Sequence, residues 1–295
     1  MIQRVVVVGD VVLDVVVRPL SSIAPTSDTP ASVRVGRGGS GANLAVAIAA
    51  VWGAQHRVSF VGVGGDDAAA RIVRADLEGA GVRAALASVP GSTGVVVSLV
   101  AEGGERAMLT ERGVNSRLTF EDVAAVLDEG VTHLHVSGYV ALDDMTRPLV
   151  ARLFAAARAL RATTSVDVCS VGPLRRLGAA VFGDATREAT MLFANEEEAL
   201  ALSGDDDVES ALATLSRDGR EVIITRGSHG ALARRGEEVA AMAARRGRVV
   251  DTTGAGDSAT GTYLAHRLTG ADLATSLRHA MDAAADVVGG LGSRG

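Results

Sequence analysis

Short β-branched runs alternate with longer segments of helical periodicity along most of the 295-residue chain. Residues 2–8 form the first run, and Gly9 and Asp10 end it, which is typical of a buried parallel strand. The same pattern predicts strands at 58–63, 132–136, 164–168, 190–194 and 221–225. Helical spacing predicts helices up to about residue 80 and at 118–128, 144–161, 173–181, 207–217 and 273–288. Serial βα units predict an α/β fold, a doubly wound sheet between two layers of helices.

Two segments do not fit the βα alternation. Residues 15–36 carry three prolines and alternate only weakly, and residues 94–110 have the pattern of a hairpin with a glycine turn. Both are polar enough to lie outside the main core. We therefore expect one domain spanning 1–295, with segments 15–36 and 93–112 forming a small sheet that covers a site.

A glycine-rich stretch, Arg37 to Asn43, leads into the apolar helix predicted at 44–52. Glycines at a helix entrance let a ligand rest against bare backbone, and the Asn43 amide offers both a donor and an acceptor. Asp14 follows the first strand, where open α/β sheets place their ligands. This carboxylate lies in otherwise apolar sequence and needs polar partners. The combination favours a site for a polyol.

The second glycine turn occurs at 251–257 and leads into another apolar-periodic helix. Gly254 and Gly256 permit a tight turn, and the helix N-terminus that follows offers unpaired amides to an anion such as phosphate. Asp257 would repel that anion unless it accepts a proton from a hydroxyl group that attacks the phosphate. The alternative is that Asp257 only caps the helix. This turn alone does not decide between the two interpretations.

Composition narrows the classes of function. The formal charge is −6, so the chain has no basic field for nucleic acid and no polybasic patch for a membrane. Its apolar runs are too short for a bilayer span or a signal peptide. With Cys169 as the only cysteine, no intrachain disulfide can form, and we expect a cytoplasmic protein. All 29 basic residues are arginine, which excludes a Walker phosphate loop and a protein-kinase fold, since both need a lysine.

Four motifs, in this order and spacing, resemble those of the ribokinase-like carbohydrate kinases, the PfkB family. Gly38 to Asn43 is similar to the first family signature, and Asp251 to Asp257 is similar to the second. Between them, Asn195 to Glu198 matches an Asn-x-x-Glu motif, and Thr225 to Gly227 matches a nucleotide-binding Thr-x-Gly motif. The resemblance covers essentially the whole chain. It implies a three-layer α/β/α fold with a small β-sheet lid.

The resemblance also implies roles for individual residues. Asp257 would be the catalytic base, and the amides of Gly254, Ala255 and Gly256 would form an anion hole. The sugar hydroxyls would be held by Asp14, Gly38, Gly39 and Asn43. Nucleotide binding would involve Asn195, Thr225 and Gly227. Glu198, with Asn195, would order Mg²⁺ through water, and Asp251 with the Thr253 carbonyl would form a K⁺ site.

The implied reaction is ATP-dependent phosphorylation of a hydroxymethyl group on a small sugar, a ribose-like pentose or a relative of it. ATP is then the co-substrate, and Mg²⁺ is the cofactor. Two copies of the chain are expected to form a homodimer through the lid. Ser137 to Tyr139 stands where a ribose-specific member has a glutamate, which leaves the sugar open. The alternatives are an adenosine- or pseudouridine-type nucleoside kinase, a sugar-acid kinase and a non-catalytic sensor. The low aromatic content, 3%, favours a plain sugar.

Overall fold

A nine-stranded sheet forms the centre of the molecule in the computed structural model, which describes residues 2–100, 106–245 and 254–290. Thirteen strands are found in that part of the chain, and four of them form a second, smaller sheet. The strands are β1 (Arg4–Val8), β2 (Val12–Pro19), β3 (Ala31–Gly38), β4 (Arg57–Gly65), β5 (Arg83–Val89), β6 (Gly94–Val100), β7 (Arg106–Glu111), β8 (His133–Ser137), β9 (Thr163–Asp167), β10 (Met191–Asn195), β11 (Glu221–Thr225), β12 (Ala231–Arg235) and β13 (Glu238–Met242).

The large sheet has the order β13-β12-β11-β10-β9-β8-β1-β4-β5. Its strands pair in parallel from β5 to β11, and β12 and β13 continue antiparallel at one edge. Helical connections run between the parallel strands, as a parallel pair requires. The predicted doubly wound α/β sheet is confirmed.

The described helices cover both faces of the large sheet. They are α1 (Ser40–Trp52), α2 (Ala68–Gly79), α3 (Phe120–Ala124), α4 (Gly138–Leu142), α5 (Arg147–Ala159), α6 (Val171–Leu177), α7 (Ala179–Thr186), α8 (Glu196–Ser203), α9 (Val208–Leu215), α10 (Ala255–Leu268) and α11 (Leu273–Val288). Within the described ranges, none of them combines the length and the apolarity that a bilayer crossing needs.

Two apolar cores lie on opposite faces of the sheet. Strand β1 contributes to both, because successive side chains point to opposite faces: Val6 and Val8 join one core, and Val5 and Val7 join the other. The first core is closed by α3 to α9, and the second by α1, α2, α10 and α11. This accounts for the apolar character of β1 on both sides.

The predicted elements differ from the observed ones in a few places. The helix predicted at 118–128 ends at Ala124, and Asp128 beyond it pairs with Arg4. The helix predicted at 173–181 is two helices, because Gly178 at φ +95° breaks it in a conformation that favours glycine. Strand β5 and the short helix α4 were not predicted. These are local corrections that leave the layer order unchanged.

The smaller sheet has the order β3-β2-β6-β7 and lies at the C-terminal edge of the large one. Its strands come from the two segments that the sequence placed outside the core, although β2 begins at Val12 and β3 ends at Gly38. Val12 and Val96 on one face line the main cavity. On the other face, Val33, Val35 and Leu109 are more than half exposed. The sheet thus has one face toward the cavity and one toward solvent.

A buried ionic network ties α10 to β11. The Glu221 carboxylate is 1% exposed and accepts hydrogen bonds from the Tyr263 hydroxyl at 2.7 Å and from the Arg267 guanidinium at 2.8 Å. A buried charge of this kind requires a partner, since removal from water costs several kcal/mol. Arg267 therefore holds the helix in register with the edge of the parallel sheet.

We expect Arg267→Met to lower the free energy of unfolding by about 3–5 kcal/mol, because it leaves the Glu221 charge buried and unpaired. Urea denaturation measures this loss. The matched control is Arg175→Met, which removes an exposed pair with Glu197 and should cost less than about 1 kcal/mol. The double variant Glu221→Gln/Arg267→Met should recover much of the stability. Equal stabilities of Arg267→Met and Arg175→Met would contradict this account.

Candidate active site

The main cavity, about 360 Å³, lies at the C-terminal edge of the large sheet, beneath the smaller one. Parallel sheets present their strand ends and the following helix N-termini at this edge, so ligands bind there in open α/β folds. The residues that the sequence predicted for a site and that line the cavity are Asp14, Gly39, Asn43, Asn195, Glu198, Thr225, Gly254, Gly256 and Asp257. Segments far apart in the sequence therefore meet at one place.

The other predicted residues are placed differently. Three of them do not line the cavity but are close in sequence to residues that do: Gly38 and Ala255 are direct neighbours of lining residues, and Gly227 is two positions from one. Asp251 and Thr253, predicted to form a K⁺ site, lie outside the described residues.

Helix α10 begins at the cavity. Gly254 is its N-cap and has φ +74°, a left-handed conformation that favours glycine. The first amides of a helix have no intrahelical partner, and they carry the positive end of the helix dipole. A Cβ built on Gly256 meets no atom within 4 Å, so this turn is open on the cavity side. The geometry offers amide donors to an anion.

Asp257 lies in the first turn of α10, and two side chains from α1 fix its carboxylate. The Ser40 hydroxyl donates to one oxygen at 2.7 Å, and the Asn43 amide donates to the other at 2.9 Å. Burial raises the pKa of Asp257 above its ordinary value, while the bonds from Asn43 and Ser40 act in the opposite direction. The carboxylate is thus fixed in orientation and a stronger base than a solvated aspartate. The sequence motif indicated Asn43 only as a sugar ligand, and this contact was not predicted.

Asp14 projects from β2 of the smaller sheet into the same cavity. A Cβ on Gly38 would lie 2.0 Å from its Oδ1 atom, so the absence of a side chain at Gly38 makes room for the carboxylate. Burial and the nearby charge of Asp257 raise the pKa of Asp14 to about 6. Gly38 therefore acts on the site through Asp14, although it does not line the cavity.

Asn195 and Glu198 form a reciprocal capping box at the start of α8. The Asn195 side chain accepts from the Glu198 amide, and Glu198 accepts from the Asn195 amide, each at 2.9 Å. The same two residues therefore cap α8 and line the cavity. The capping bond uses only one of the two Glu198 carboxylate oxygens.

Asp167, at the end of β9, lines the cavity beside Glu198 and was missed by sequence reasoning. Burial raises its pKa well above the ordinary value, and the charge of Glu198 adds to the shift. The signal that pointed to Asp14, a carboxylate where a strand ends, also applies to Asp167. Two neighbouring carboxylates in a buried wall suit a hard divalent cation such as Mg²⁺, which usually takes one or two carboxylates and completes its shell with water and phosphate oxygens. Among the described residues, no group of three His, Cys, Asp or Glu side chains is arranged to hold a metal ion by itself.

Arg112 is the single basic residue among the described cavity-lining ones, and it was also missed. Its guanidinium makes two bonds of 2.8 Å to the Asp10 carboxylate and also pairs with Asp143. Three residues on, the Asn115 side chain accepts from the Val11 backbone amide and donates to the Val11 carbonyl. These contacts attach the end of β7 to the loop after β1. No local pattern in the sequence indicates them.

Cys169 and Tyr139 line the wall between β8 and β9. Cys169 has φ +70°, unusual for a residue with a side chain, and its sulfur lies 3.4 Å from the Ser137 hydroxyl and 3.7 Å from the Ser40 hydroxyl. Burial raises the pKa of Cys169, so the thiol stays protonated. The site thus combines a fixed carboxylate, hydroxyl-binding groups and anion-binding amides, which suits transfer of a phosphoryl group to an alcohol.

Comparison with known proteins supports this chemistry. The ATP-dependent ribose-1-phosphate kinase of Halopiger xanaduensis is 33% identical over 304 residues, covering 99% of this chain and 94% of that protein. The adenosine kinase of Sinorhizobium meliloti superposes with a TM-score of 0.87 at 25% identity, covering 98% and 94% of the two chains. A putative ribokinase II from E. coli in complex with ATP and Mg²⁺ has the same fold, with a TM-score of 0.82 at 21% identity and coverage of 98% and 93%.

A family model described as pfkB family carbohydrate kinase matches residues 2–295. The chain therefore belongs to the pfkB family of carbohydrate kinases and is an ATP-dependent sugar kinase.

Proposed function

We propose that the protein transfers the γ-phosphoryl group of ATP to a hydroxymethyl group of a small sugar, a ribose-like pentose or a relative of it. The observation that carries the proposal is the shared cavity of Asp257, the open first turn of α10, and the polar residues Asp14 and Asn43. A proton acceptor, an anion site and a polyol site meet there.

Asp257 is the proposed general base. Its two oxygens are held by Ser40 and Asn43, so the carboxylate presents a fixed direction to the attacking hydroxyl group. The pKa of Asp257, raised by burial, brings its basicity closer to that of an effective base at neutral pH. The loose transition state of phosphoryl transfer needs little early deprotonation, so positioning supplies most of the effect.

The amides of Gly254, Ala255 and Gly256 are the proposed anion hole. Negative charge on the transferred phosphoryl group would lie at the positive end of α10, where amide donors need no reorganisation during the reaction. An amide belongs to the backbone, so Ala255 can contribute one although its side chain does not line the cavity. The absence of side chains at Gly254 and Gly256 lets the phosphate approach.

Glu198, with Asp167 and Asn195, is the proposed Mg²⁺ subsite, with contacts through water. Bound Mg²⁺ neutralises charge on the ATP phosphates. Burial and the charge of Glu198 raise the pKa of Asp167, and burial with the charges of Glu197 and Asp257 raises the pKa of Glu198, so a bound cation would relieve this concentration of negative charge. Asn195 and Thr225, together with Gly227 beyond the cavity, are the proposed nucleotide contacts. The proposed K⁺ site at Asp251 and Thr253 rests on the sequence motif alone.

The smaller sheet, from segments 15–36 and 93–112, is the proposed lid of the single domain. Its inner face carries Asp14 over the cavity, which supports a role in enclosing the sugar. The outer face exposes the apolar side chains of Val33, Val35 and Leu109. Such a face supports pairing of two lids in a homodimer.

Ribose 1-phosphate is a second candidate substrate, because the Halopiger xanaduensis relative is named for it. Arg112 is the lining residue that could bind the phosphate group of this substrate, but it is already paired with Asp10 and Asp143. Five carboxylates line the cavity against this one guanidinium. This balance favours a neutral sugar over a phosphorylated one or a sugar acid. Nucleosides are also candidate substrates, because the fold is similar to that of an adenosine kinase.

The proposal is tested by ATP consumption with Mg²⁺ against ribose, related pentoses, ketohexoses, ribose 1-phosphate, adenosine, pseudouridine and a sugar acid, with and without K⁺. We expect a neutral sugar to give the highest kcat/KM. A higher value for ribose 1-phosphate would move the assignment to the second candidate. ATP binding without turnover of any acceptor would identify a sensor and overturn the proposal.

Asp257→Asn is the matched variant for the same assay. It keeps the side-chain volume but removes the proton acceptor, so we expect kcat to fall by about 10²–10⁴-fold. Nucleotide affinity, measured by calorimetry, should change little. A rate near that of the wild type would remove Asp257 from the role of base.

The pKa of Asp14, about 6, predicts a pH effect on sugar capture. Above pH 6 the carboxylate is charged and accepts strongly from hydroxyl groups; below pH 6 it is protonated and binds them less well. We expect kcat/KM for the sugar to fall up to about tenfold per pH unit below 6, since this parameter reports ionisations of the free enzyme. Asp14→Asn should lower kcat/KM at neutral pH and remove the decrease in kcat/KM below pH 6. A decrease near pH 6 that persists in Asp14→Asn would contradict the assignment.

A further inference from the structure

A second cavity lies at the N-terminal edge of the large sheet, at the opposite ends of the strands from the active site. Its volume is about 200 Å³. Three arginines and one histidine line it, Arg4, Arg57, Arg83 and His56, above an apolar floor that includes Val126 and Val131. No aspartate or glutamate is among the described residues that line it. The cavity is therefore basic in a chain whose net charge is −6.

The strand register brings these arginines together. Arg4 of β1 is the direct partner of Arg57 of β4, and Ser59 of β4 is the direct partner of Arg83 of β5. Register partners in neighbouring parallel strands lie about 4.8 Å apart and point to the same face of the sheet. Like charges at such positions destabilise the sheet unless a counter-charge is present.

The nearby counter-charge is Asp128, which is paired with Arg4 and interacts with the charge of Arg83 without forming an ion pair with it. Asp128 makes two bonds of 2.7 Å to the guanidinium of Arg4. In the part of the chain that the structure describes, Arg57 and Arg83 form neither an ion pair nor a side-chain hydrogen bond. The exposed guanidinium groups of Arg57 and Arg83 therefore border one small cavity, and their donors are bound to no protein acceptor among the described residues.

The remaining lining also suits an anion. The Nδ1 atom of His56 accepts a 2.9 Å hydrogen bond from the Gln3 amide, so the neutral ring carries its proton on Nε2 and can only donate there. The Ser59 hydroxyl adds a further donor. The valine floor keeps water away from one side and strengthens charge interactions at the site.

We propose that this cavity binds a phosphate-type dianion, as inorganic phosphate or as a phosphate monoester. Guanidinium groups match the paired oxygens of phosphate in a bidentate geometry, which a lysine could not provide. The cavity is smaller than the roughly 300–1,000 Å³ typical of sites for drug-sized ligands, so it fits a compact ion or one small ester. The five residues of β1 place it roughly 17 Å from the catalytic edge, and it is a separate site.

The experiment titrates the full chain with potassium phosphate at constant ionic strength and follows backbone amide resonances. Ser59 and Gly81 report on the basic cavity, and Gly256 reports on the active site. We expect saturable shifts at Ser59 and Gly81 in the wild type. In Arg57→Gln/Arg83→Gln the apparent Kd at these amides should rise about 100-fold, because two charge-assisted contacts are lost. Gly256 should behave as in the wild type.

The matched control, Arg187→Gln/Arg217→Gln, removes the same charge from two exposed arginines that do not line the cavity. It should leave the Ser59 and Gly81 titrations unchanged. Absence of shifts in the wild type, or equal weakening in both double variants, would overturn the proposal. Titration with glucose 6-phosphate distinguishes the sources: tighter binding than phosphate indicates an ester, and equal or weaker binding indicates the free ion. An absence of phosphate-induced shifts at Gly256 alone would report on the active site, because the proposal rests on the titrations at Ser59 and Gly81.

Discussion

The hydrogen bonds from Ser40 and Asn43 to Asp257 join two helix N-termini that lie more than 200 residues apart in the sequence. They depend on close packing of α1 against α10. A Cβ on Gly261 would lie 2.6 Å from the Leu44 carbonyl oxygen, so glycine at this position lets the two helices approach. Because both helices start at the cavity, their contact fixes the carboxylate relative to the amides of the α10 turn. The proposed chemistry requires this alignment, since a misplacement of about 1 Å can cost about 10²-fold in rate.

The electrostatics of the cavity follow from the edge of the sheet on which it lies. Asp10 and Asp167 stand at or just after strand ends, and Asp14 lies near the start of β2 in the smaller sheet. Glu198 and Asp257 lie in the first turns of helices, where the dipole favours negative charge. Burial then raises the pKa of several of these groups, with Asp14 reaching about 6. The result is a site that is rich in proton and hydroxyl acceptors and poor in cations. It therefore favours ligands that bring hydroxyl donors and, for the nucleotide, a metal ion.

Much of the fold and part of the site could be predicted from local signals. Alternating βα units gave the doubly wound sheet, and Gly254 and Gly256 indicated the tight turn before α10. The same kind of signal, a carboxylate where a predicted strand ends, applies to Asp167 but was followed only for Asp14. Arg112 had no signal, because its partners Asp10 and Asp143 lie 102 and 31 positions away. The early end of α3 could not be foreseen either, since Asp128 leaves the helical pattern to pair with Arg4.

The sequence by itself determined which residues could form strands, turns and helix starts, because these depend on backbone sterics and on periodicity over a few neighbouring positions. It also supplied the four motifs that identified the family. Only the tertiary structure decided that Ser40 orients Asp257, that Gly38 makes room for Asp14, and that three arginines meet at the far edge of the sheet. Contacts of this kind depend on strand register and helix packing across the whole chain, and no local pattern of residues specifies them.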